Sequence, residues 1–471
     1  MTALSHHLLA TIWSALELPA PATDAVSFTG HANLPSYYAV TDLAAASIGA
    51  AALAMRELAA LRGASEAPVS VDRRLASLWF GWTLAPVGWE RPALWDAVAG
   101  DYACLDGWIR LHTNAPHHRR AALDVLGCAP ERQAVAQAVA QWQGAALEAA
   151  VVANRGCAAQ MRAADHWHAH PQGLAVASEP LIAFDTRLCN GPVTWTGTRT
   201  GTSTDTRTGT QARLLAGIKV LDLTRVLAGP VATRFLAGYG AEVLRIDAPD
   251  WNEPGVIPEV TPGKRCARLD LHHATDRAVF EQLLAEADVL VHGYRPEALA
   301  RLGYDENYRR QANPGLVDVC LDAYGWSGPW AGRRGFDSLV QMSCGIAAHG
   351  MQASGAGKPV PLPVQALDHA TGYLMAAAVV RGLITRVTQQ RATQARLSLA
   401  RTAALLMTTE GEIGGVQLAP VAPDDYALAL EHTAWGPARR LRAPVAVAGM
   451  AMAWPQGASE LGSAPAQWAA P

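Results

Sequence analysis

The sequence predicts an α/β protein, with a Rossmann-like doubly wound parallel sheet as its large domain and a smaller, mainly helical α+β domain beside it. Three observations carry this expectation. Beyond residue 211, short apolar and β-branched runs at 218–223, 242–246, 289–291 and 316–321 alternate with amphipathic helical stretches such as 278–287, the rhythm of a parallel sheet with crossover helices. Before residue 196 the chain is Ala-rich and helical, with 108–111 its clearest strand signal. Between the two, TGTRTGTSTDTRTGTQ (Thr196 to Gln211) holds only small, polar or charged residues, the composition of a flexible linker.

Length supports more than one core: 471 residues at 50% hydrophobic content exceed what a single core needs. The boundaries read as 1–195 for the smaller domain, 196–211 for the linker, 212–401 for the sheet domain and 402–471 for a shortened tail returning to it.

Each element has its own signal. In the first part, Asp42 is placed to cap a helix running to about Leu61, VSVDRRLASLWF follows, and helices are expected over 119–126 and 133–153. In the second, the first strand passes through Arg225 to Gly229 into Pro230, whose missing N–H suits the first turn of a helix. Ligands of such sheets bind at strand-to-helix turns. No GxGxxG follows that strand, where RVLAGP stands instead, so a nicotinamide dinucleotide is not expected. An echo links the two parts. TDLAAASIGAAALAMREL from Thr41 and LDHATGYLMAAAVVRGLI from Leu367 each pair an Asp with an Ala-rich helix and lead to a β-like run, VSVDRRLA and ARLSLART, as two copies of one unit would.

Charge and cysteine usage exclude several classes. A net charge of −3 and a pI near 6.6 speak against nucleic-acid or membrane-surface partners, so an anionic ligand needs a local basic cluster. The seven cysteines are odd in number, dispersed and without a CxxC pair, which fits neither a disulfide framework nor a zinc site. The N-terminus has no basic stretch before an apolar run, and no eighteen uninterrupted apolar residues occur. A cytoplasmic protein is expected. HWHAH (His166, His168, His170) alternates on a polar stretch without a carboxylate cluster and is read as a solvated loop, with no metal. Trp79, Trp82, Trp89 and Trp95 lack basic interleaving and are read as packing anchors, not a nucleic-acid platform.

Five stretches stand in one order: GIKVLDLTRVLAGPVATRFLAGYGAEVLRIDAP from Gly217, PGKRCARLDL from Pro262, ADVLVHGYRPEALARLGYD from Ala287, ANPGLVDVCLDAYGWSGPWAGRRGFDSLVQMSCGIAAHG from Ala312 and ALDHATGYLMAAAVV from Ala366. In this the chain resembles the family III CoA-transferases of the CaiB/BaiF type. GDYACLDGWIRL from Gly100 and HAHPQGLA from His168 resemble small-domain phrases that in the family come after the catalytic Asp, whereas here they come before it. The arrangement is therefore partly permuted or fused. HTAWGPARRLRAPVAVAG from His432 and ELGSAP from Glu460 resemble the family's return to the large domain.

The resemblance implies an acyl-CoA:carboxylate CoA-transferase in which Asp368 is the nucleophile, passing through an aspartyl anhydride and an aspartyl-CoA thioester. It implies acyl-CoA and a carboxylic acid as substrates, no tightly bound cofactor and an interlinked homodimer. Asp368 read alone, without the ordered stretches around it, is a helix cap. For CoA, whose phosphates need cations and free N–H groups, Lys264, Arg265, Arg301 and Arg334 are the candidates, each also readable as a solvated charge. Val226, Leu227 and Ala228 occupy the loop that meets the thioester, so an oxyanion contact there comes from backbone. Tyr294 matches an aromatic near adenine, and Asp337 an acidic residue beside the active site, and both are equally packing or capping residues.

Two departures bear on the activity. Racemases of the same fold place a histidine immediately before that acidic residue as a base. Here Phe336 stands there, so His349 or His369 would have to substitute. Some transferases close a glycine run over the intermediate, and 81–88 offers none. A non-catalytic CoA-binding or assembly paralogue is the alternative from another class, and a racemase-like isomerase a further one. The donor and acceptor acids are not legible.

Overall fold

The computed structural model describes residues 2–64, 68–189, 213–411, 416–447 and 449–469. The linker expected over 196–211 lies outside the described residues.

The large sheet has seven strands in the spatial order Lys264–Arg268, Glu242–Asp247, Lys219–Leu223, Val289–His292, Val317–Asp322, Arg391–Ser398 and Ala183–Leu188. The first six are mutually parallel, and Ala183–Leu188 closes the edge antiparallel to Arg391–Ser398. Chain order therefore reverses between Lys219–Leu223 and Val289–His292, which is where a doubly wound sheet opens a crevice at the C-terminal ends of its strands. Side-chain alternation sends successive strand residues to opposite faces. Val220, Val243, Val289 and Val317 join a core with the helices Val40–Leu61, Ala228–Gly238 and Ala366–Gln389. Leu221, Leu244 and Leu290 join a second core with Phe280, Leu283 and Leu284 of the helix Ala274–Glu286. Helices cover both faces, as expected, with boundaries within a few residues of the sequence reading.

The segment 1–195 does not gather into one body. Its helices Thr2–Ala15 and Val40–Leu61 belong to the large core. A separate core forms around the antiparallel strands Gly100–Cys104, Gly107–Leu111 and Ala158–Gln160 and the helices Pro116–Leu126, Arg132–Val139 and Gly144–Ala153. This smaller α+β unit docks back through Arg333, which pairs with Glu148 at 2.9 Å and donates to the Ala158 carbonyl at 3.0 Å. The tail contributes Val445–Val447 to a sheet with Val69–Asp72 and Gly436–Arg440 to one with Leu84–Pro86. Its end then reaches the edge strand Lys264–Arg268 through Ser459 and Ala464.

The two Asp-led helices are neighbours in the large core. Val40–Leu61 is long and apolar enough to span a membrane by length and composition, yet 83% of its apolar window is buried within the protein. The likeness between the copies holds in register, because 30 residues separate both Asp42 from Asp72 and Asp368 from Ser398, and Asp72 and Ser398 each cap the helix that follows. Asp42 is not a helix cap, contrary to the sequence reading. It lies in the first turn, beyond the N-cap residue Ala39, and is buried in an ion pair with Arg73 (2.9 Å) and a hydrogen bond from Ser5. Arg73 stands where the second copy has Leu399. All seven cysteines are free thiols.

Candidate active site

Asp368 sits in the first turn of Ala366–Gln389, three residues beyond the N-cap residue Gln365, so it too is not a cap. The cap is supplied from elsewhere. Asp337, in the first turn of Asp337–Ser343, accepts the N–H groups of Leu367 (2.9 Å) and Asp368 (3.0 Å) on one oxygen and the Gln341 amide on the other. Gln341 in turn accepts the Leu362 N–H at 2.7 Å, tying down the chain that leads into the helix. A carboxylate at a helix N-terminus is favoured by the helix dipole, and Asp337 fills that role across the fold.

Both carboxyls are pushed above the ordinary range by burial, and Asp368 is pushed further by the charge of Asp337. Asp337 holds the better share of negative charge, because its oxygens collect three donors. A carboxyl attacks only when ionised, so any activity that depends on attack by Asp368 is expected to rise with pH as that group deprotonates. Asp337→Asn keeps an acceptor oxygen for the two N–H groups and removes the repelling charge. The Asp368 pKa then falls, and the acidic limb of the kcat/KM profile is expected to move to lower pH. An unmoved limb would show that the two carboxyls do not communicate.

Close approach of two helices puts Asp368 beside the 226–228 loop. Gly372 faces the Ala228 carbonyl oxygen and the Val231 side chain, with no room between for a Cβ. Val226 has φ +64°, a left-handed conformation uncommon for a β-branched residue and of the kind that collects at functional sites. Its N–H is held by Glu253 at 2.8 Å, and Glu253 is anchored by the buried Arg245 at 2.5 Å. The helix Ala228–Gly238 begins immediately after, and the N–H groups of Ala228 and Gly229 have no intrahelical acceptor.

Asp368 lines two adjoining cavities that share Val226, Leu227 and Phe336. One, of about 290 Å³, occupies the crevice at the strand ends. Arg225, Arg295, Arg333 and Arg334 line it, with Tyr294, Trp251 and Asp322. Arg225 lies 4.1 Å over the Trp251 ring and donates to the Tyr294 hydroxyl at 3.3 Å. Arg334 donates to the Arg155 carbonyl at 3.3 Å. Arg295 and Arg333 pair with Glu297 and Glu148, both at 2.9 Å. Burial raises the Asp322 carboxyl to about 7, and one of its oxygens has no partner among the described residues. The other cavity, of about 310 Å³, is rich in aromatic and apolar side chains, and residues before the linker, Phe80, Trp82, Leu94, Trp95 and His112 among them, form one part of its wall.

The structure thus brings together Asp368, Asp337, Val226, Leu227, Ala228, Tyr294 and Arg334. It places three other candidates elsewhere. Lys264 is fully buried, its ammonium held by Asp222 (3.1 Å), the Thr233 hydroxyl and the Pro230 carbonyl, so it braces the sheet and does not reach a phosphate. Arg265 pairs with Glu242 at 3.4 Å on the outermost strand, and Arg301 is exposed in the last turn of Pro296–Arg301. Neither lines the cleft.

Several site residues escaped the sequence reading. Arg225 stands two residues past the end of the strand Lys219–Leu223 at the switch point, a position that was itself the signal. Trp82 and Trp95 line the cavity rather than anchoring packing, whereas Trp79 and Trp89 donate to the carbonyls of Arg442 and Pro437. Phe336 is covered by His112, stacked at 3.7 Å, so an imidazole reaches this position from the far part of the chain. Burial lowers His112 well below the ordinary histidine range, and His118 and His369 to about 3, so all three are neutral.

Residues 215–416 match the family described as CoA-transferase family III. An acetyl-coenzyme A transferase of Hypoxylon pulicicidum is 38% identical over 179 residues, 37% of this chain and 30% of that protein. An acyl-CoA transferase of Fusarium pseudograminearum is 30% identical over 244 residues, 45% of this chain and 53% of that one. A Mycobacterium tuberculosis protein named as a probable fatty acyl-CoA transferase is 33% identical over 189 residues, 37% of this chain and 48% of that one. Its crystal structure superposes with a TM-score of 0.38 and 29% identity over 42% of this chain and 59% of that one. The chain matches about half or less of the length of these curated relatives. Over residues 215–416, then, the chain is similar to CoA-transferase family III.

Proposed function

We propose that the protein transfers CoA from an acyl-CoA donor to a carboxylic acid, with Asp368 as the nucleophile. The observation that carries this is the position of a buried carboxylate at the neck between a basic crevice and an apolar cavity, with free helix N–H groups in the wall beside it. CoA fits the first, its phosphates opposite Arg225 and Arg334, and the acyl group the second. Both cavities are formed within one chain.

In the proposed course, an Asp368 oxygen attacks the thioester carbonyl carbon, the C–S bond breaks, and CoA leaves as thiolate. The resulting mixed anhydride is attacked by that thiolate at the Asp368 carbonyl carbon, which releases the donor acid as its carboxylate and leaves an aspartyl-CoA thioester. The acceptor carboxylate attacks this thioester, expelling the thiolate and forming a second anhydride. Attack of the thiolate on the acceptor's carbonyl carbon gives the new acyl-CoA and restores Asp368. The N–H groups of Ala228 and Gly229 are suited to the negative oxygen that develops at each addition. No net proton transfer is needed, which suits a site whose histidines are neutral.

A second reading is favoured by one observation, the neutral His112 in the same cavity as Asp368. Two bases flanking an α-carbon are what an epimerase needs. One experiment in D₂O separates the two. With an acyl-CoA donor and a ¹³C-labelled acid, the transferase forms labelled acyl-CoA with ping-pong kinetics and leaves the α-hydrogen in place. Deuterium at the α-carbon without transfer would favour the isomerase.

A further inference from the structure

We propose that the site takes an uncharged acyl group with an aromatic or branched aliphatic body, the acyl part of a monocarboxylic acid, and rejects acyl groups that carry a second carboxylate. The proposal rests on the transferase reading above and specifies its donor.

The cavity beyond Asp368 is walled by Phe80, Trp82, Leu94, Trp95, Val256 and Val364. Its volume of about 310 Å³ is in the range of small-molecule pockets, whose apolar walls carry a few polar groups that fix orientation. Its charged groups are Glu259 and Asp368, both acids. Cations touching the wall from behind are already committed. Arg234 is bound to Glu259, Arg440 to Glu431 at 2.5 Å, and Arg110, over the Trp95 ring, to Asp101 at 2.7 Å. Arg91 lies 4.7 Å over the Trp82 ring, exposed and outside the wall.

The remaining polar side chains are the amides of Asn114 and Gln365 and two imidazoles. His369 stacks on Phe80 at 5.2 Å and His112 on Phe336 at 3.7 Å. The Nδ1 atom of each is buried without a partner among the described residues. Neutral imidazole can donate to or accept from a hydroxyl or carbonyl, so a neutral polar substituent on the acyl group has partners waiting. A carboxylate would find neutral donors but no uncommitted cation in the wall, and burying its charge without one near Glu259 and Asp368 is strongly unfavourable.

The test is a donor panel on the intact protein: benzoyl-CoA and 2-methylbutanoyl-CoA against succinyl-CoA and oxalyl-CoA, with kcat/KM for transfer and CoA affinity by calorimetry. The neutral donors are expected to exceed the dicarboxylic ones by about 100-fold or more, in line with what a site denies a ligand it leaves unpaired. Succinyl-CoA turning over as well as benzoyl-CoA would overturn the proposal and leave the transferase reading standing. No turnover or Asp368 adduct with any donor, while CoA binds, would overturn that reading and this one with it. Leu94→Arg provides a second check by adding a cation at the wall. It is expected to narrow the gap by about tenfold or more with CoA affinity unchanged, and an unchanged ratio would show that the wall does not set the selection.

Discussion

Asp368→Ala is expected to lower kcat/KM for CoA transfer by about 10⁴-fold or more, the scale on which removal of a nucleophile acts. CoA itself should still bind, since Arg225 and Arg334 lie in the crevice and not on the nucleophile's helix. The isosteric Asp368→Asn is expected to gain stability while it loses activity. Burial and the charge of Asp337 raise the Asp368 carboxyl above its value in an unfolded chain, about 3.9. A group with a raised folded pKa contributes its full stability below the unfolded value and loses it as pH rises through the folded one. The variant should therefore melt above the wild type at pH 8, and the difference should shrink toward pH 4. Equal melting at both would mean that the carboxyl is not strained by its surroundings.

Gly372→Ala is the second substitution with a large expected effect, although it lies a full turn from the nucleophile. The added Cβ falls on the carbonyl oxygen of Ala228 and against the Val231 side chain. The helices Ala366–Gln389 and Ala228–Gly238 must part to admit it, and overpacking of this kind costs about 1–3 kcal/mol. Parting also moves Asp368 away from the 226–228 loop, so kcat should fall along with the melting temperature, whereas CoA affinity should change little. Wild-type kcat in this variant would show that the helix contact does not set the position of the nucleophile.

The legible part of the fold is its centre. Strands at 219–223, 289–292 and 317–322 are buried on both faces and read as apolar runs, which is what a parallel interior imposes. The edges were not legible for the same physical reason. Lys264–Arg268 is the charged run KRCAR, interpretable as a strand only once Asp222 is known to receive the Lys264 ammonium. Ala183–Leu188 has half-exposed, mixed residues and becomes a strand through pairing with Arg391–Ser398, remote in sequence.

The site divides in the same way. Asp368, Asp337 and the 226–228 loop stand in a local order that sequence preserves. The apolar cavity is assembled from residues near 80, 95 and 112 against Phe336 and Val364, and no local pattern links them. The echo between the two Asp-led helices was readable, but the feature that sets them apart was not. Arg73 and Leu399 occupy equivalent places, and the first binds Asp42 in a buried ion pair whereas the second lines the crevice at Asp368. One copy offers a locked carboxylate and the other an available one.

The most direct measurement is intact and peptide mass spectrometry of the protein incubated with an acyl-CoA donor, after trapping with hydroxylamine or borohydride. The account predicts a modification confined to Asp368, absent from Asp368→Ala and absent from Asp42. No modification with any donor in a broad panel, while CoA binding persists, or a modification that survives in Asp368→Ala, would contradict it.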